Sequence, residues 1–212
     1  MTRFAAVLAL TPLMVFGADA DLTTVLKGVE SRYNRAKTLQ VFFHERYTGQ
    51  GRPRQSESGQ LTLRKPGKMR WDYTVPQGKL FISDGKQVYL YNPGLNRVER
   101  MPLKDSEDMR APLAFLLGKL DFNKEFRDLV LKVEGTDFVI TANAKSDKLP
   151  YDKIEMRVSA SSEIRRLVIS GQDNSVLVFE FDQEKLNPHV DDARFKFQMP
   201  AGATLVTGEP AQ

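Results

Sequence analysis

The sequence predicts a mainly β (α+β) protein, built on a large antiparallel sheet or barrel of about 11 or 12 short strands with two or three helices. In residues 58–93, apolar and polar residues alternate with a period of two, which is typical of strands with one apolar face and one solvated face. Asp84 and Gly85 interrupt this alternation as a dipeptide that favours tight hairpin turns. Alternating segments recur at regular spacing through residues 131–182, so the sheet is predicted to extend through most of the chain.

Residues 1–20 have the pattern of a cleaved secretory signal. Arg3 supplies a positive start, residues 5–16 are apolar, and Ala18 and Ala20 are small residues of the kind that precede a cleavage site. The apolar stretch is about a dozen residues long, shorter than the roughly 20 that span a bilayer, which disfavours a membrane anchor. We therefore expect cleavage after Ala20, export, most simply to a bacterial periplasm, and a single domain over residues 21–212.

Periodicity and capping predict the first elements. Residues 22–36 have apolar side chains at helical spacing, and Asp21 is placed as an N-cap, so we expect an amphipathic helix. A strand over residues 41–47 follows, and residues 48–58, rich in Gly, Arg, Gln and Ser, are predicted to form a loop within a hairpin. The alternating strands of residues 58–93 come next.

The second half of the chain contains another helix candidate among short strands. In residues 111–120, Pro112 suits a first helical turn and Gly118 a C-terminal stop. Residues 122–129 are expected to add one or two helical turns. The remaining strands are predicted at residues 97–101, 131–134, 138–142, 153–158, 164–170, 176–182 and 194–198.

The apolar face of such a sheet exceeds what the helices can cover. About a dozen strands with roughly three inward apolar positions each present about three dozen side chains. One helix of about 15 residues and one of about ten can bury that surface only if the sheet curls around them, which leaves a cleft. The alternative is a sheet that closes on a packed interior, and barrels of this strand number do either.

The charge distribution leaves two interpretations open. A formal net charge of +4 is far from a nucleic-acid-binding composition, so no nucleic-acid partner is expected. In residues 46–79, however, eight basic residues face only Glu57 and Asp72. These cations form either a solvated convex face and loop or a docking surface for acidic partners or lipid headgroups.

The sequence contains no pattern that points to an enzyme, a metal site or a cofactor. His44 and His189 have no Cys or His neighbour at ligand spacing, and the chain has no cysteine for disulfide or thiol chemistry. No G-x-S-x-G elbow, paired catalytic carboxylates or Gly-rich phosphate loop is present. We therefore expect a binding function without catalysis.

Residues 58–93 also carry an ordered set of motifs. These are G-x-L, two basic residues followed by Pro, a strand with Trp, then ISDGK and Y-x-Y-N-P. The set resembles the LolA family of periplasmic outer-membrane lipoprotein carriers, and the likeness continues through APLAFLLG, GTDFVIT and ARFKFQMPAG. It covers nearly the whole chain after the signal.

The resemblance implies an unclosed barrel of about 11 antiparallel strands whose concave apolar face is covered by helices acting as a lid. It also implies a monomeric carrier that accepts the acyl chains of triacylated lipoproteins from an inner-membrane ABC transporter of the Lol type. The carrier would hand them to an outer-membrane acceptor lipoprotein. A LolA-like carrier or sensor of another lipid or glycolipid is the alternative. An apolar cavity selects acyl chains by their length and does not distinguish the molecules that carry them.

The resemblance and the strand alternation together predict the site residues. The cavity is expected to be lined by Phe43, Leu61, Leu63, Met69, Trp71, Tyr73, Leu80, Ile82, Val88, Leu90, Ile154, Met156 and Val158. The lid is expected to contain Pro112, Leu113, Phe115, Leu116 and Leu117.

One position departs from the family pattern. In the family an Arg immediately before Pro fastens the lid by hydrogen bonds to helix carbonyls, and here that position is Lys65. An ammonium lacks the planar fork of a guanidinium, so the latch is either weaker or formed by Arg64. Strand alternation points Arg64 outward, which favours a weaker latch through Lys65.

Overall fold

The computed structural model describes residues 21–49, 52–103, 120–147, 149 and 151–207, and a single curved sheet contains most of these described residues. The predicted signal over residues 1–20 lies outside the described residues. So do residues 111–119 of the predicted second helix, with all five expected lid residues, Pro112, Leu113, Phe115, Leu116 and Leu117.

The described residues form 13 strands that belong to one sheet. The strands are β1 Thr38–Gly49, β2 Arg52–Pro53, β3 Glu57–Arg64, β4 Lys68–Val75, β5 Leu80–Asp84, β6 Gln87–Asn92, β7 Arg97–Pro102, β8 Phe126–Glu134, β9 Asp137–Ala144, β10 Tyr151–Ser159, β11 Ile164–Gly171, β12 Val176–Leu186 and β13 Thr204–Thr207. Their hydrogen-bonded order is β13-β7-β6-β5-β4-β3-β1-β12-β11-β10-β9-β8, and β2 pairs only with β1. Because β13 and β8 lie at opposite ends, the sheet is unclosed, and the predicted fold class is confirmed.

Cross-strand pairing aligns the apolar residues on the concave face. Leu61 lies opposite Val41 on one side and Trp71 on the other, and Trp71 lies opposite Phe81. Paired residues of adjacent strands share a face, so these side chains form one row across four strands. All four are at most 4% exposed. The protein's main hydrophobic core therefore lies on the concave face.

Two short helical elements add to this core. Helix α1, Leu22–Arg35, begins as predicted, because the Asp21 carboxylate accepts a hydrogen bond from the Thr24 backbone N–H at 3.2 Å. Its apolar stripe joins the concave cluster through Val25, Leu26, Val29 and Tyr33. Helix α2 covers only Phe122–Glu125, and none of the helices in the described residues is long and apolar enough to cross a membrane.

The expected helical turns over residues 122–129 are wrong beyond Glu125. Strand β8 begins at Phe126 and pairs with β9, with an irregularity between Arg127 and Val130. The apolar residues Leu129, Leu131 and Val133 alternate along this strand, so pairing with β9 determines the structure here and not helical spacing.

The C-terminal segment, residues 187–207, lies against the convex face of the first half of the sheet. The predicted strand over residues 194–198 is wrong, because a 3-10 helix spans Asp192–Phe195 and the Asp191 carboxylate accepts from the Ala193 N–H at 2.8 Å. The Phe197 ring stacks on Tyr89 at 4.7 Å between centroids. Beyond it, β13 pairs with β7 in parallel, so this segment covers the convex face and ends at the sheet edge.

Candidate functional site

Most of the residues predicted to line the cavity belong to the concave apolar cluster. Strands β1, β3, β4, β6 and β10 contribute them, which brings together positions more than 100 residues apart in sequence. The predicted residues found in this cluster are Phe43, Leu61, Leu63, Met69, Trp71, Tyr73, Val88, Leu90, Ile154, Met156 and Val158. Of these, Leu90 is half-buried and the others are buried.

Leu80 and Ile82 were expected on the concave face, and the structure places them on the convex face. Leu80 lies opposite Asp72 and Ile82 opposite Arg70, whereas Phe81 lies opposite Trp71. Phe81 therefore occupies the concave position that was assigned to its neighbours. Three consecutive apolar residues carry no alternation, so the sequence could not determine which of them points inward.

The concave cluster also contains residues that the site prediction omitted. Strands β11 and β12 contribute Leu167, Ile169, Leu177 and Phe179, each at most 3% exposed. Residues 167–169 and 176–179 are unbroken apolar runs, so the sequence predicted strands here but did not indicate which of their side chains lie on the concave face.

Aromatic rings form the centre of the concave face. The Phe43 ring meets Trp71 edge-on at 4.7 Å between centroids and Tyr73 at 5.1 Å. The Trp71 ring lies 5.5 Å from that of Phe179 and 6.5 Å from that of Tyr73. These separations are typical of favourable aromatic pairs. Strands β1, β4 and β12 thus meet through a single group of rings.

Four polar side chains lie along one side of the aromatic centre. We call them the polar rim, and they are Glu45, Glu57, Tyr73 and Lys79. Glu45 lies opposite Glu57 on one neighbouring strand and opposite Phe179 on the other, so both carboxylates are on the concave face. The Lys79 ammonium binds the Glu57 carboxylate and lies 4.4 Å from the centre of the Tyr73 ring. The Tyr73 hydroxyl donates to Glu45 Oε2 at 3.4 Å.

The two candidate latch residues have different partners. Lys65 Nζ donates to the Tyr33 carbonyl in the last turns of α1 at 2.8 Å, and burial lowers the pKa of Lys65. Arg64 donates instead to the Val190 carbonyl at 2.9 Å and lies 3.2 Å from Asp192, both in the C-terminal segment. The position before Pro66 therefore contacts the helix, and Arg64 points outward as alternation predicted.

A buried carboxylate anchors the same end of α1 to β12. Glu184 Oε1 accepts from Arg32 Nη2 at 2.6 Å and from Arg32 Nε at 2.9 Å, while Glu184 Oε2 accepts from the Tyr33 hydroxyl at 2.5 Å. The Tyr33 oxygen also accepts from the Ile164 N–H at 2.9 Å. The pKa of Tyr33 is raised well above its ordinary value. Burial is the largest cause, and the charge of neighbouring Glu184 is the second.

Two further polar side chains of α1 bind the backbone next to α2. Asn34 accepts from the Leu120 N–H at 2.7 Å and donates to the Leu120 carbonyl at 2.8 Å. Glu30 Oε1 accepts from the Phe122 N–H at 2.9 Å. Among the described residues, all side-chain hydrogen bonds between α1 and other elements thus involve residues 30–34, while apolar contacts hold its first two turns.

The basic cluster in residues 46–79 is largely paired inside the fold. Lys68 donates to Asp192 at 2.7 Å, and this bond, more than the charge of nearby Arg64, lowers the pKa of Asp192. Arg46 pairs with Glu180 at 2.8 Å. Several of these cations therefore have partners within the protein, and Arg64 and Lys68 hold the C-terminal segment against the sheet. Within the described ranges, no three His, Asp or Glu side chains come together in a way that could hold a metal ion.

Comparison with known proteins gives a family match over most of the chain. The family model described as outer membrane lipoprotein carrier protein LolA matches residues 34–198. An outer-membrane lipoprotein carrier protein of Pseudomonas paraeruginosa is 28% identical over 208 residues, which cover 97% of each chain. One from Methylobacillus flagellatus is 28% identical over 184 residues, which cover 84% of this chain and 88% of that relative.

A solved structure shares the fold at lower sequence similarity. A conserved protein from Thermus thermophilus, itself uncharacterized, has a TM-score of 0.52 and 14% identity, over 88% of this chain and 98% of the other. The curved sheet with few helices is therefore also found in an experimental structure.

Proposed function

This chain belongs to the LolA family of outer membrane lipoprotein carrier proteins, and from that premise we propose that it carries lipoproteins by binding their acyl chains. The observation that supports this most directly is the continuous apolar concave face of an unclosed sheet. Each methylene transferred from water to such a surface contributes about 0.8 kcal/mol. A site for acyl chains therefore needs apolar area and no catalytic group.

The covering of this face by α1 suggests how cargo enters. Acyl chains can replace α1 against the cluster because both contacts are apolar and have little directional preference. The first two turns of α1 are held by apolar contacts, whereas residues 30–34 are fixed by hydrogen bonds. In this proposal the first turns move aside while the last turns remain attached. Lys65 acts as the latch that keeps the last turns attached at the Tyr33 carbonyl, and the expected lid residues complete the cover.

The proposed route follows the relatives' function. The signal over residues 1–20 directs export to the periplasm, with cleavage after Ala20. The mature protein, a monomer, accepts triacylated lipoproteins from an inner-membrane ABC transporter of the Lol type and delivers them to an acceptor lipoprotein in the outer membrane. The intact mass of the purified protein tests the cleavage position.

Native mass spectrometry of the protein isolated from its own periplasm tests the carrier function. The expected result is a complex with triacylated lipoprotein for the wild type and for Leu95→Glu, a control on a turn residue that is 67% exposed. Leu61→Glu should lose the complex, because a charge against an acyl chain is costly to desolvate. Recovery of only empty wild-type protein beside normal outer-membrane lipoproteins would refute the proposal. Recovery of another lipid or glycolipid would establish the alternative carrier.

A further inference from the structure

Resting on the proposed carrier function, we propose that the Trp71 indole N–H donates a hydrogen bond to an ester carbonyl oxygen of the bound acyl chains. Trp71 is 0% exposed at the centre of the concave face. Its Nε1 is a buried donor without a hydrogen-bond partner among the described residues. Leaving a buried donor unpaired costs free energy, so an unpaired donor inside a ligand-binding face points to an acceptor that the ligand brings.

Two other buried hydroxyl groups of these strands, those of Thr62 and Ser83, differ from the Trp71 donor. Thr62 Oγ1 also lacks a partner, but Thr62 lies opposite Arg70 on the convex side, and its hydroxyl hydrogen can rotate. Ser83, which shares the concave face with Met69, donates to the Gly67 carbonyl at 2.8 Å. An indole N–H only donates, and the ring fixes its direction. Of the two concave groups, Ser83 and Trp71, only Trp71 has a donor without a hydrogen-bond partner among the described residues.

Trp71 lies between the polar rim and the rest of the apolar surface, where the ester group of a bound acyl chain would lie. Tyr73, two residues further along β4, belongs to the polar rim, and its ring centre lies 6.5 Å from that of Trp71. In the opposite direction, Met69 and Leu63 continue the apolar surface. An ester group lies between the hydrocarbon chain and the polar headgroup. With the headgroup at the rim and the chains over the apolar cluster, ester carbonyls come to the layer of Trp71.

The ester carbonyl has the hydrogen-bonding chemistry that the Trp71 N–H requires. An ester carbonyl accepts and cannot donate, as the lone indole donor requires, and an ether-linked chain of the same length lacks this acceptor. The aromatic neighbours Phe43 and Phe179 have no oxygen or nitrogen acceptor for the Trp71 N–H. A carrier with this donor should therefore distinguish ester-linked from ether-linked chains.

The test uses two synthetic probes and one isosteric replacement. The probes are a diacylglyceryl-cysteine peptide with ester-linked hexadecanoyl chains and its analogue with hexadecyl ether chains. Because Trp71 is the single tryptophan, biosynthetic replacement by benzothienylalanine changes only this residue, removing the N–H and keeping the ring shape. Affinities come from calorimetry, with Trp71→Phe as a second variant and the indole N–H resonance as a direct readout.

The wild type should prefer the ester probe by about three- to tenfold, and both variants should lose this preference while still binding the ether probe. The indole N–H resonance should move downfield with the ester probe alone. Equal wild-type affinity for the two probes, or an ester preference that persists without the N–H, would overturn the role of Trp71 and leave the carrier function standing. Failure of the wild type to bind either probe would overturn both.

Discussion

The concave and convex faces of strands β3 and β4 are stabilised by different interactions. On the concave side, Leu61 and Trp71 pack into an apolar cluster and a group of aromatic rings. On the convex side, Arg64 and Lys68 bind Asp192, and Arg70 donates to the Arg194 carbonyl at 2.9 Å. Apolar packing accepts any apolar partner, whereas hydrogen bonds and ion pairs require their own partners. In the proposed carrier, the same two strands exchange their cover on the concave face and keep it on the convex face.

The largest expected effect comes from truncating one buried ring on each face. Phe43→Ala on the concave side and Phe195→Ala on the convex side should each cost about 3–5 kcal/mol of unfolding free energy, because both side chains are at most 1% exposed. Urea denaturation measures this loss, and Leu95→Ala should change it little. Only Phe43→Ala should weaken binding of the ester probe. Equal loss of binding in both variants would contradict the division between the faces.

Alkaline pH should destabilise the concave cluster through Tyr151. The pKa of Tyr151 is raised to about 12, mainly by burial and to a smaller extent by the charge of Glu125. An unfolded tyrosine ionises near pH 10, so between about pH 10 and 12 the unfolded chain releases a proton that the folded protein retains. Stability should fall by up to about 2 kcal/mol as the pH rises through this window. Denaturation at stepped pH should show a smaller decline for Tyr151→Phe, and an unchanged slope would exclude this residue as the cause.

The Lys65 latch should have a smaller effect. Lys65→Met keeps the aliphatic stem and removes the donor to the Tyr33 carbonyl, at a cost of about 0.5–1.5 kcal/mol. Hydrogen exchange should quicken in the last turn of α1, because Lys65 binds the end of the helix that remains attached in the proposed loading step. Lys65→Arg restores a donor and serves as the matched control. Unchanged exchange in Lys65→Met would show that Glu184 and Asn34 hold the helix without the latch.

The convex ion pairs should contribute least. Asp192→Asn removes the charge that Lys68 and Arg64 share, and its side chain is exposed to screening by solvent and salt. We expect a small fall in the urea midpoint at low ionic strength that disappears in high salt, with cargo binding unchanged. A loss of cargo binding would instead couple the convex segment to the concave face.

The neighbouring strands β4 and β5 differ in how far their own residues specify which side chains lie on the concave face. In β4, Met69, Trp71 and Tyr73 alternate with polar residues, so their shared face could be predicted. In β5, Leu80, Phe81 and Ile82 are all apolar. The face on which each side chain lies depends on the pairing of β5 with β4 and on the C-terminal segment that covers the convex face. A strand buried on both faces contains no information about which face is which.

Local periodicity and capping act over a few neighbouring residues, so they already specify the strand-rich architecture, the capped first helix and the concave residues of the alternating strands. Tertiary structure decided the pairing of the basic cluster, since Asp192 and Glu180 lie more than 100 residues from Lys68 and Arg46. It also decided that Lys65 meets the Tyr33 carbonyl and that a 3-10 helix, not a strand, lies over the convex face. Such contacts depend on chain folding that brings distant charges and carbonyls together, which no local pattern encodes.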